Sequence, residues 1–430
     1  MKYDLVVIGG GLAGLTCGLK AVHEGLSCAV FSDGMSALHF SSGSIDLLGR
    51  HPGREVVYAP FEVLPEFIRT HPEHPYAKCG PEVVAESLIF FQKEIGRQSL
   101  TLYNNGRENH FHLTALGVLK PTYLSQSSVF NERIKEVLIR RPAIAILNFE
   151  GFRDFHPALA AANLSSHVLF KDCRFTLGTV PLPKEGRSPY ELRSIDLGRM
   201  FEQDHFLDQM AGRIKKAAGQ AEVVGLPAVL GLTGFKRVLT RLQEMTGLLI
   251  YETPTLPPSL PGMRLDDALK SRFAELGGVF IAGDRIVGGE INNGRLDHVH
   301  TRNYGRERLK AKHYVLATGS FFSGGLASRS ESMSEPVFDL GLDWTPGRSN
   351  WSGRRFLDPA GHPFLAYGVK TDESLRPRDA GGRLIVNLRC AGAVLAGYDP
   401  VREGTGGGVA VTTGYLAALE TVKDLVKAGS

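Results

Sequence analysis

The stretch Tyr3-Asp-Leu-Val-Val-Ile-Gly-Gly-Gly-Leu-Ala-Gly14 decides the fold of this chain. Its first half is apolar and predicts a short buried strand, and glycines then follow at 9, 11 and 14 in the spacing Gly-x-Gly-x-x-Gly. Apolar residues recur every three or four positions as far as Val22, which predicts a helix. A strand, a glycine turn and a helix in this order are typical of a dinucleotide-binding site.

Each of these glycines has a predicted role. Gly9 allows a tight turn, Gly11 lets the backbone approach a pyrophosphate, and Gly14 lets the helix pack closely on the strand. The N-terminus of the helix offers free N–H groups and a partial positive charge to the phosphates. The sequence therefore predicts a nucleotide or flavin site at this turn.

The bulk composition is that of an ordinary globular protein. The 430 residues suffice for two or three domains, and 43% are hydrophobic and 22% charged. A net charge of +4 without a run of lysine or arginine does not predict nucleic-acid binding. The mild positive charge is best interpreted as a solvated surface, although a weak affinity for an anionic membrane or an acidic partner is also compatible with it.

Cysteine usage and hydropathy limit the class further. The five cysteines are scattered and form no C-x-x-C pair, so neither a disulfide framework nor a metal or iron–sulfur site is expected; they are Cys17, Cys28, Cys79, Cys173 and Cys390. We expect a reducing cytoplasm. A core strand beginning at about residue 3 leaves no room for a signal peptide, and no apolar stretch approaches the ~18 residues of a membrane span.

The rest of the chain supplies further elements of one fold. Residues 26–31 predict a second strand, and residues 73–250 show mixed helix and strand patterns without a repeat, as in an inserted domain. A helix is predicted over 264–276, followed by a three-stranded meander at 279–281, 285–291 and 296–301, in which Asn293-Gly294 is a hairpin turn. A buried strand then ends in Ala317-Thr-Gly319.

This order resembles the flavoproteins of the glutathione reductase and fumarate reductase type. We predict an α/β, Rossmann-like FAD/NAD(P)-binding fold with an inserted α+β domain. The resemblance implies that Thr318 and Gly319 close over the dinucleotide, and that Gly392 with Gly406, Gly407 and Gly408 holds the flavin ring. The predicted domains are a flavin-binding domain in three parts (1–72, 251–325 and 385–430), an inserted or cap domain (73–250) and a cap segment (326–384).

Five motifs make the resemblance closer than fold. They are residues 39–48 (His-Phe-Ser-Ser-Gly-Ser-Ile-Asp-Leu-Leu), 254–259, 317–326, 371–377 and 406–408, and they resemble the B subunits of the anaerobic glycerol-3-phosphate dehydrogenases in order along the whole chain. The resemblance implies a bacterial flavoprotein on the cytoplasmic face of the inner membrane, held there by partners. These are an FAD-bearing catalytic A subunit and an iron–sulfur C subunit that anchors the complex.

The same resemblance implies the reaction and the cofactor. The complex oxidises sn-glycerol 3-phosphate to dihydroxyacetone phosphate and passes electrons to menaquinone, then to fumarate or nitrate. The B subunits of this family are assigned FMN. No nucleic acid and no metal ion bound to this chain are implied.

One position departs from the dinucleotide pattern. The second strand of FAD proteins with this fold ends in a glutamate that binds the adenosine ribose, but Ser32 stands here, followed by Asp33. A serine hydroxyl cannot form the bidentate clamp of a carboxylate, and Asp33 is expected on the opposite face of the strand. This favours FMN, which has no adenosine, while FAD with weakened ribose contacts stays open.

The remaining candidates rest on residue type and position. Ser41, Ser42 and Gly43 suit either a loop against a ligand or a surface turn. His39 is the first candidate for the base that takes the proton of the alcohol, and Arg264 and Arg376 are candidates for binding the substrate phosphate. For each of the three, an ordinary structural or surface role is the competing interpretation.

Three functions are compatible with these observations. The first is a flavin-bearing subunit of the respiratory dehydrogenase. The second is a non-catalytic assembly or electron-relay subunit, because no sharp acid–base constellation is evident. The third is a stand-alone FAD-dependent oxidoreductase.

Overall fold

A computed structural model describes residues 2–51, 55–183, 188–305, 307–358 and 360–429. The chain divides into two compact units. The first unit comprises Met1–Ala37, Ile45–Gln98 and Asp266–Ser430, and the second comprises Leu38–Ser44 and Ser99–Leu265. Each unit is built around its own parallel sheet.

The sheet of the first unit is centred on the opening strand of the chain. In spatial order, its described strands are Val279–Ala282, Cys28–Ser32, Lys2–Ile8, Lys310–Leu316 and Leu388–Cys390, and all neighbours are parallel. Leu5, Val6 and Val7 are completely buried, as the apolar run predicted. The carboxyl ends of these strands therefore meet at one edge, where a doubly wound sheet binds its ligand.

Helices and short elements complete the first unit. The α-helices are Leu12–His23, Pro60–Thr70, Pro75–Gly96, Pro400–Glu403 and Gly406–Gly429, together with most of Leu260–Glu275. The two-stranded ribbons pair Ile286–Asn292 with Arg295–Thr301, Ala327–Ser328 with Met333–Ser334, and Leu342–Asp343 with Gly368–Val369. Short 3₁₀ turns lie at Phe321–Ser323, Arg348–Asn350, Pro363–Ala366 and Gly392–Val394.

The predicted three-stranded meander is wrong in one strand. Val279–Ala282 joins the main sheet beside Cys28–Ser32, and only Ile286–Asn292 and Arg295–Thr301 form a hairpin. The turn at Asn293-Gly294 is present, with φ angles of 51° and 76°. Local patterns located all three strands but carry no information about a partner far away in sequence.

The second unit has a parallel sheet of its own. Its described strands follow the order Leu249–Thr253, Val223–Pro227, Ala143–Phe149 and Arg174–Val180. The α-helices lying wholly within it are Glu132–Ile139, Pro157–Ser165, Ser194–Phe201, Asp204–Ala218 and Phe235–Thr246. Two ribbons pair Leu102–Tyr103 with Ser125–Gln126, and His110–Leu113 with Leu119–Thr122. One 3₁₀ turn lies at Pro189–Glu191, and the last three residues of another, Ala37–Phe40, also belong to this unit.

The compact units differ from the predicted domain boundaries. Helix Pro75–Gly96 belongs to the first unit because it packs on Gly406–Gly429, where Ser87 Oγ and Thr412 Oγ1 lie 3.0 Å apart. By this division the second unit spans Ser99–Leu265 together with Leu38–Ser44, whereas the predicted insertion spans 73–250. Residues 326–384 also fall within the first unit. Within the described residues, no helix is both long and apolar enough to cross a membrane.

Candidate functional site

The glycine turn after the first strand is held by backbone contacts. A Cβ at Gly9, whose φ is 119°, would lie 2.2 Å from the carbonyl oxygen of Ala317. A Cβ at Gly14 would lie 1.9 Å from the carbonyl oxygen of Gly9. Glycine is therefore required at both positions by close approach, as the sequence predicted.

Gly11 differs from its neighbours because the space beside it is open. The nearest heavy atom to a Cβ placed there is Ser36 Cβ, at 4.0 Å. Gly11 is the N-cap of helix Leu12–His23; no described side chain caps this helix, and its first turn contains no acidic residue. The first-turn N–H groups thus face an unfilled space with the partial positive charge of the helix, a combination that suits an anion such as a phosphate.

The turn at Thr318 and Gly319 lies directly against the glycine turn. A Cβ at Gly9 would come within 3.1 Å of the Thr318 backbone nitrogen. The Oγ1 atom of Thr318 is buried and has no hydrogen-bond partner within the described part of the chain. Gly319 has a φ of 84°, and its carbonyl oxygen would be 2.0 Å from a Cβ at Gly325. A rigid turn therefore presents an unsatisfied hydroxyl beside the candidate phosphate site.

Ser32 and Asp33 occupy different environments at the end of the second strand. Ser32 is buried, donates to the Gly34 carbonyl oxygen at 3.0 Å, and fills the space that a Cβ at Gly10 would need. Asp33 is exposed and forms ion pairs with Arg302 (2.9 Å) and Arg285 (3.8 Å). The carboxylate is therefore engaged by two arginines, and Ser32 offers a single hydroxyl at the position of the ribose clamp.

The last helix is joined to the first helix by backbone packing. A Cβ at Gly414 would lie 2.3 Å from the Ala13 carbonyl oxygen, and one at Gly392 would lie 2.6 Å from Ala13 Cβ. The Gly392 N–H donates to Thr413 Oγ1 at 2.8 Å. Gly392 therefore belongs to the same compact region as the glycine turn.

The glycine run at the start of the last helix has a structural reason of its own. A Cβ at Gly407 would lie 3.1 Å from Ile45 Cα, and one at Gly408 would lie 2.1 Å from Tyr76 Oη. The Gly408 N–H donates to the Asp46 carbonyl oxygen at 2.8 Å. A Cβ at Gly406 would also be close to a neighbour, at 3.2 Å from Pro400 Cβ. Contact of these glycines with a flavin ring stays a prediction.

Sequence reasoning missed a buried His–Glu pair just before this helix. His74 Nε2 lies 3.2 Å from Glu403 Oε2, and His74 Nδ1 accepts a hydrogen bond from the Tyr76 N–H. Burial lowers the pKa of His74 below its ordinary value, although Glu403 acts in the opposite direction. The Oη of Tyr398, whose ring packs on His74, is buried without a hydrogen-bond partner among the described residues. Only proximity in the fold joins these residues, so no spacing in the sequence could have indicated them.

Arg264 does not offer donors to a ligand, contrary to the prediction. Its guanidinium pairs with Glu252 (Nη1–Oε2 2.6 Å, Nη2–Oε1 3.0 Å), and both side chains are at most 1% exposed. Nε and Nη2 also donate to the Gly231 carbonyl oxygen, and Nη1 to Ser128 Oγ. These contacts use every N–H of the group. Arg264 is therefore a structural residue of the second unit.

Arg376 lies in the first unit, and only part of its guanidinium is engaged by the residues that the structure describes. Its Nε and Nη2 both contact Asp372 Oδ2, at 2.9 and 2.8 Å, and about a third of the side chain is exposed. The preceding Leu375 has a φ of 61°, a conformation that a non-glycine residue adopts at some cost. Arg376 is held in a fixed loop, but an anionic ligand would compete with Asp372 for it.

His39, Ser41, Ser42 and Gly43 belong to the second unit. His39 is half-buried, and its carbonyl oxygen accepts from the Ser259 N–H at 2.9 Å. Ser41 Oγ donates to the Leu38 carbonyl oxygen at 2.8 Å. The segment is therefore held by local hydrogen bonds, and its contact with a ligand stays a prediction.

Comparison with known proteins identifies the family. The sequence profile described as an FAD binding domain matches residues 4–409. The B subunit of the anaerobic glycerol-3-phosphate dehydrogenase from Vibrio vulnificus strain CMCP6 is 40% identical, over 100% of this chain and 98% of the relative. The corresponding B subunit from Yersinia enterocolitica is 38% identical, over 98% of each chain.

The chain belongs to the family of anaerobic glycerol-3-phosphate dehydrogenase B subunits.

Membership in the B-subunit family confirms the predicted fold class and makes the chain a flavoprotein-type oxidoreductase. Among solved structures, a 3-ketosteroid Δ1-dehydrogenase from Sterolibacterium denitrificans is similar over 98% of this chain and 100% of its own, with 12% identity and a TM-score of 0.45. The FAD binding domain of the B-subunit family indicates FAD, and the predicted preference for FMN is not supported.

Acid stability of this B-subunit family member is expected to depend on buried histidines. Burial, with a smaller contribution from Lys135, lowers the pKa of His110 to about 3. The unfolded chain then binds more protons than the folded chain below pH ~6.5, so stability falls with pH from there towards pH 3. His110 alone costs about 2 kcal/mol between pH 8 and pH 5.

Urea unfolding at both pH values measures this loss, with His110→Gln as the test variant. The change with pH should be smaller in His110→Gln than in the unaltered protein. His51→Gln, at an exposed position, is the control and should keep the full change. Equal pH dependence in all three proteins would show that His110 titrates normally.

Proposed function

We propose that this chain is the flavin-bearing subunit of a quinone-linked anaerobic glycerol-3-phosphate dehydrogenase complex. The complex oxidises sn-glycerol 3-phosphate to dihydroxyacetone phosphate. The observation that carries the proposal is the open phosphate cradle at Gly11, with its uncapped helix and the unsatisfied Thr318 hydroxyl. Full-length likeness to proteins named as the B subunit of this dehydrogenase supports the choice of substrate.

The cofactor proposed for the first unit is FAD. Gly9, Gly11 and Gly14 form the turn for its pyrophosphate, and Thr318 and Gly319 form the adjoining wall. These residues fit the group, because Gly11, which alone of the three has open space beside it, lies at the helix N-terminus. Ser32 is the candidate ribose contact, with Asp33 a weaker one since it pairs with Arg302. Bound flavin supplies the acceptor for the hydride of the alcohol.

The reaction requires residues that accept the hydroxyl proton and residues that bind the phosphate. His39 stays the proposed base for the hydroxyl proton, and Arg376 stays a proposed contact for an anionic group. Arg376 is restrained by Asp372, so its guanidinium is already oriented before a ligand arrives. Ser41, Ser42 and Gly43 remain proposed cofactor contacts, as do Gly392 and Gly406–Gly408.

Assembly with other subunits is part of the proposal. The relatives are named as one subunit of a dehydrogenase, which implies a complex. We propose as partners an FAD-bearing A subunit and an iron–sulfur C subunit that holds the complex on the cytoplasmic face of the inner membrane. Electrons would pass through them to menaquinone, and on to fumarate or nitrate. The Arg264 guanidinium is paired with Glu252 and does not offer donors to a substrate. This favours a second function, in which this chain relays electrons and the A subunit oxidises the alcohol.

Mass spectrometry of the cofactor released on denaturation tests the cofactor assignment. We expect one FAD per chain, because the phosphate cradle is intact. Release of FMN would show instead that the cofactor is decided by the absence of a carboxylate at position 32, where Ser32 stands. A protein purified without flavin would contradict the proposal and favour an assembly role.

Bleaching of the flavin absorbance by glycerol 3-phosphate tests the substrate. We expect bleaching in the assembled complex within its turnover time. Bleaching of the isolated chain would show that this subunit oxidises the alcohol itself. Bleaching that appears only with partner subunits favours an electron relay, and a complex that never bleaches contradicts the proposed function.

A further inference from the structure

A cation and two hydroxyls converge on residues 42–44 of the second unit. Lys120 Nζ donates to Ser42 Oγ at 3.3 Å and to Ser44 Oγ at 3.2 Å. The two serine oxygens are 2.7 Å apart. An ammonium group beside two hydroxyls supplies both the charge and the hydrogen-bond donors that bind a phosphate oxygen.

The loop that carries the serines is fixed by its surroundings. Gly43 has a φ of 67°, and a Cβ there would lie 2.5 Å from the Pro261 carbonyl oxygen. Ser41 Oγ accepts from the Gly43 N–H at 3.2 Å. Ser42 and Ser44 therefore keep their positions without a ligand, which lowers the entropy that binding would otherwise cost.

Gln126 adds an unsatisfied acceptor next to this loop. Its side chain is buried, and its Nε2 donates to the Pro261 carbonyl oxygen at 2.5 Å. A carbonyl can only accept, so this contact fixes the orientation of the amide. Its Oε1 is buried and has no hydrogen-bond partner among the residues that the structure describes. Nε2 would lie 2.6 Å from a Cβ at Gly43, which places the amide against the loop.

We propose that Lys120, Ser42 and Ser44 bind the phosphate of a small phosphorylated polyol, while Gln126 Oε1 accepts a hydrogen bond from one of its hydroxyls. The inference rests on the proposed function, under which the ligand is glycerol 3-phosphate. It assigns to Lys120 the phosphate contact that Arg264 cannot make.

Calorimetric titration of the full-length, flavin-containing chain tests this site, with sn-glycerol 3-phosphate, glycerol and inorganic phosphate as probes. We expect Lys120→Met to raise the Kd for glycerol 3-phosphate by about 10- to 100-fold, as loss of a charge-assisted hydrogen bond does. Ser42→Ala/Ser44→Ala should give a smaller increase. Both variants should lower the ratio of the Kd for glycerol to the Kd for glycerol 3-phosphate. A general loss of folding would weaken the binding of both ligands and would not lower this ratio.

Lys135→Met is the matched control. Lys135 lies in the same unit, and its partners are Asn105 Oδ1 at 2.9 Å and Glu132 Oε1 at 3.3 Å rather than the serines of residues 42–44. This variant should bind glycerol 3-phosphate like the unaltered chain. Lys120→Met and Lys135→Met should keep the melting temperature and the flavin content of the unaltered chain.

Three results would overturn the inference. They are an unchanged Kd in Lys120→Met, loss of flavin with intact glycerol 3-phosphate binding, and failure of the unaltered chain to bind glycerol 3-phosphate. Turnover by the assembled complex separates this inference from the proposed function. If a complex containing Lys120→Met oxidises glycerol 3-phosphate with an unchanged KM, the phosphate site at Lys120 is ruled out and the proposed function still stands.

Discussion

Replacing Gly14 by alanine is expected to yield a chain that retains no flavin and is less stable by about 1–3 kcal/mol. The added Cβ would lie 1.9 Å from the Gly9 carbonyl oxygen, which is backbone and cannot rotate away. Helix Leu12–His23 would have to move off the strand, and its N-terminal N–H groups would move with it. The flavin-to-protein absorbance ratio and urea unfolding measure the two effects.

Gly11→Ala separates binding of the cofactor from folding. Its Cβ has no heavy atom closer than 4.0 Å, and Gly11 has a φ of −86°, which alanine readily adopts. We expect unchanged stability and a cofactor affinity lowered by about tenfold or more, because the methyl group enters the proposed phosphate space. Gly212→Ala, in helix Asp204–Ala218 with open space around it, should keep its flavin. Full flavin content in Gly11→Ala would show that the phosphates lie elsewhere.

Arg264→Met is expected to have the largest effect on stability, a loss of about 3–5 kcal/mol at neutral pH. The substitution leaves the Glu252 carboxylate buried without its cation. Burial by itself would raise the pKa of Glu252, but Arg264 holds that pKa below its ordinary value of 4.5. The pair therefore stabilises the folded chain above pH ~4.5, and the contribution is lost as the pH falls through the lowered pKa.

A double variant and a pH series test this account of Arg264. Arg264→Met/Glu252→Gln should recover much of the stability, because it removes the uncompensated charge. The loss of stability in Arg264→Met alone should be smaller at pH 5 than at pH 7, because protonation neutralises the unpaired Glu252 carboxylate. Urea unfolding measures both. A variant that keeps full stability but loses substrate binding would make Arg264 a ligand contact again.

The parts of the fold that the sequence predicted are those with a strong local pattern. The opening strand, the glycine turn and the helix after it need residues with specific shapes at fixed spacing, and Gly9 and Gly14 show those constraints directly. The hairpin at Asn293-Gly294 is another case, since both residues need positive φ angles. Such constraints act over a few residues and can be read from one chain.

Features that depend on distant partners could not be predicted. Arg264 looked available because Glu252, Gly231 and Ser128 become its neighbours only when the second unit folds. The pattern of helix Pro75–Gly96 shows an apolar face but not the helix that covers it, so the sequence alone places this helix in the insertion. The positions of Lys120 and Gln126 along the chain likewise do not indicate that both lie beside the loop at residues 42–44.

The position of the opening strand has a consequence for biosynthesis. Lys2–Ile8 leaves the ribosome early, but one of its two sheet neighbours is Lys310–Leu316, and helix Leu12–His23 packs on Gly406–Gly429. The contacts that Ala317 and helix Gly406–Gly429 make with the glycine turn and its helix can therefore form only after those distant residues have been synthesised. Contacts of such sequence separation form slowly, because a long loop must close first. Flavin binding at this turn, as proposed, would then follow the synthesis of helix Gly406–Gly429.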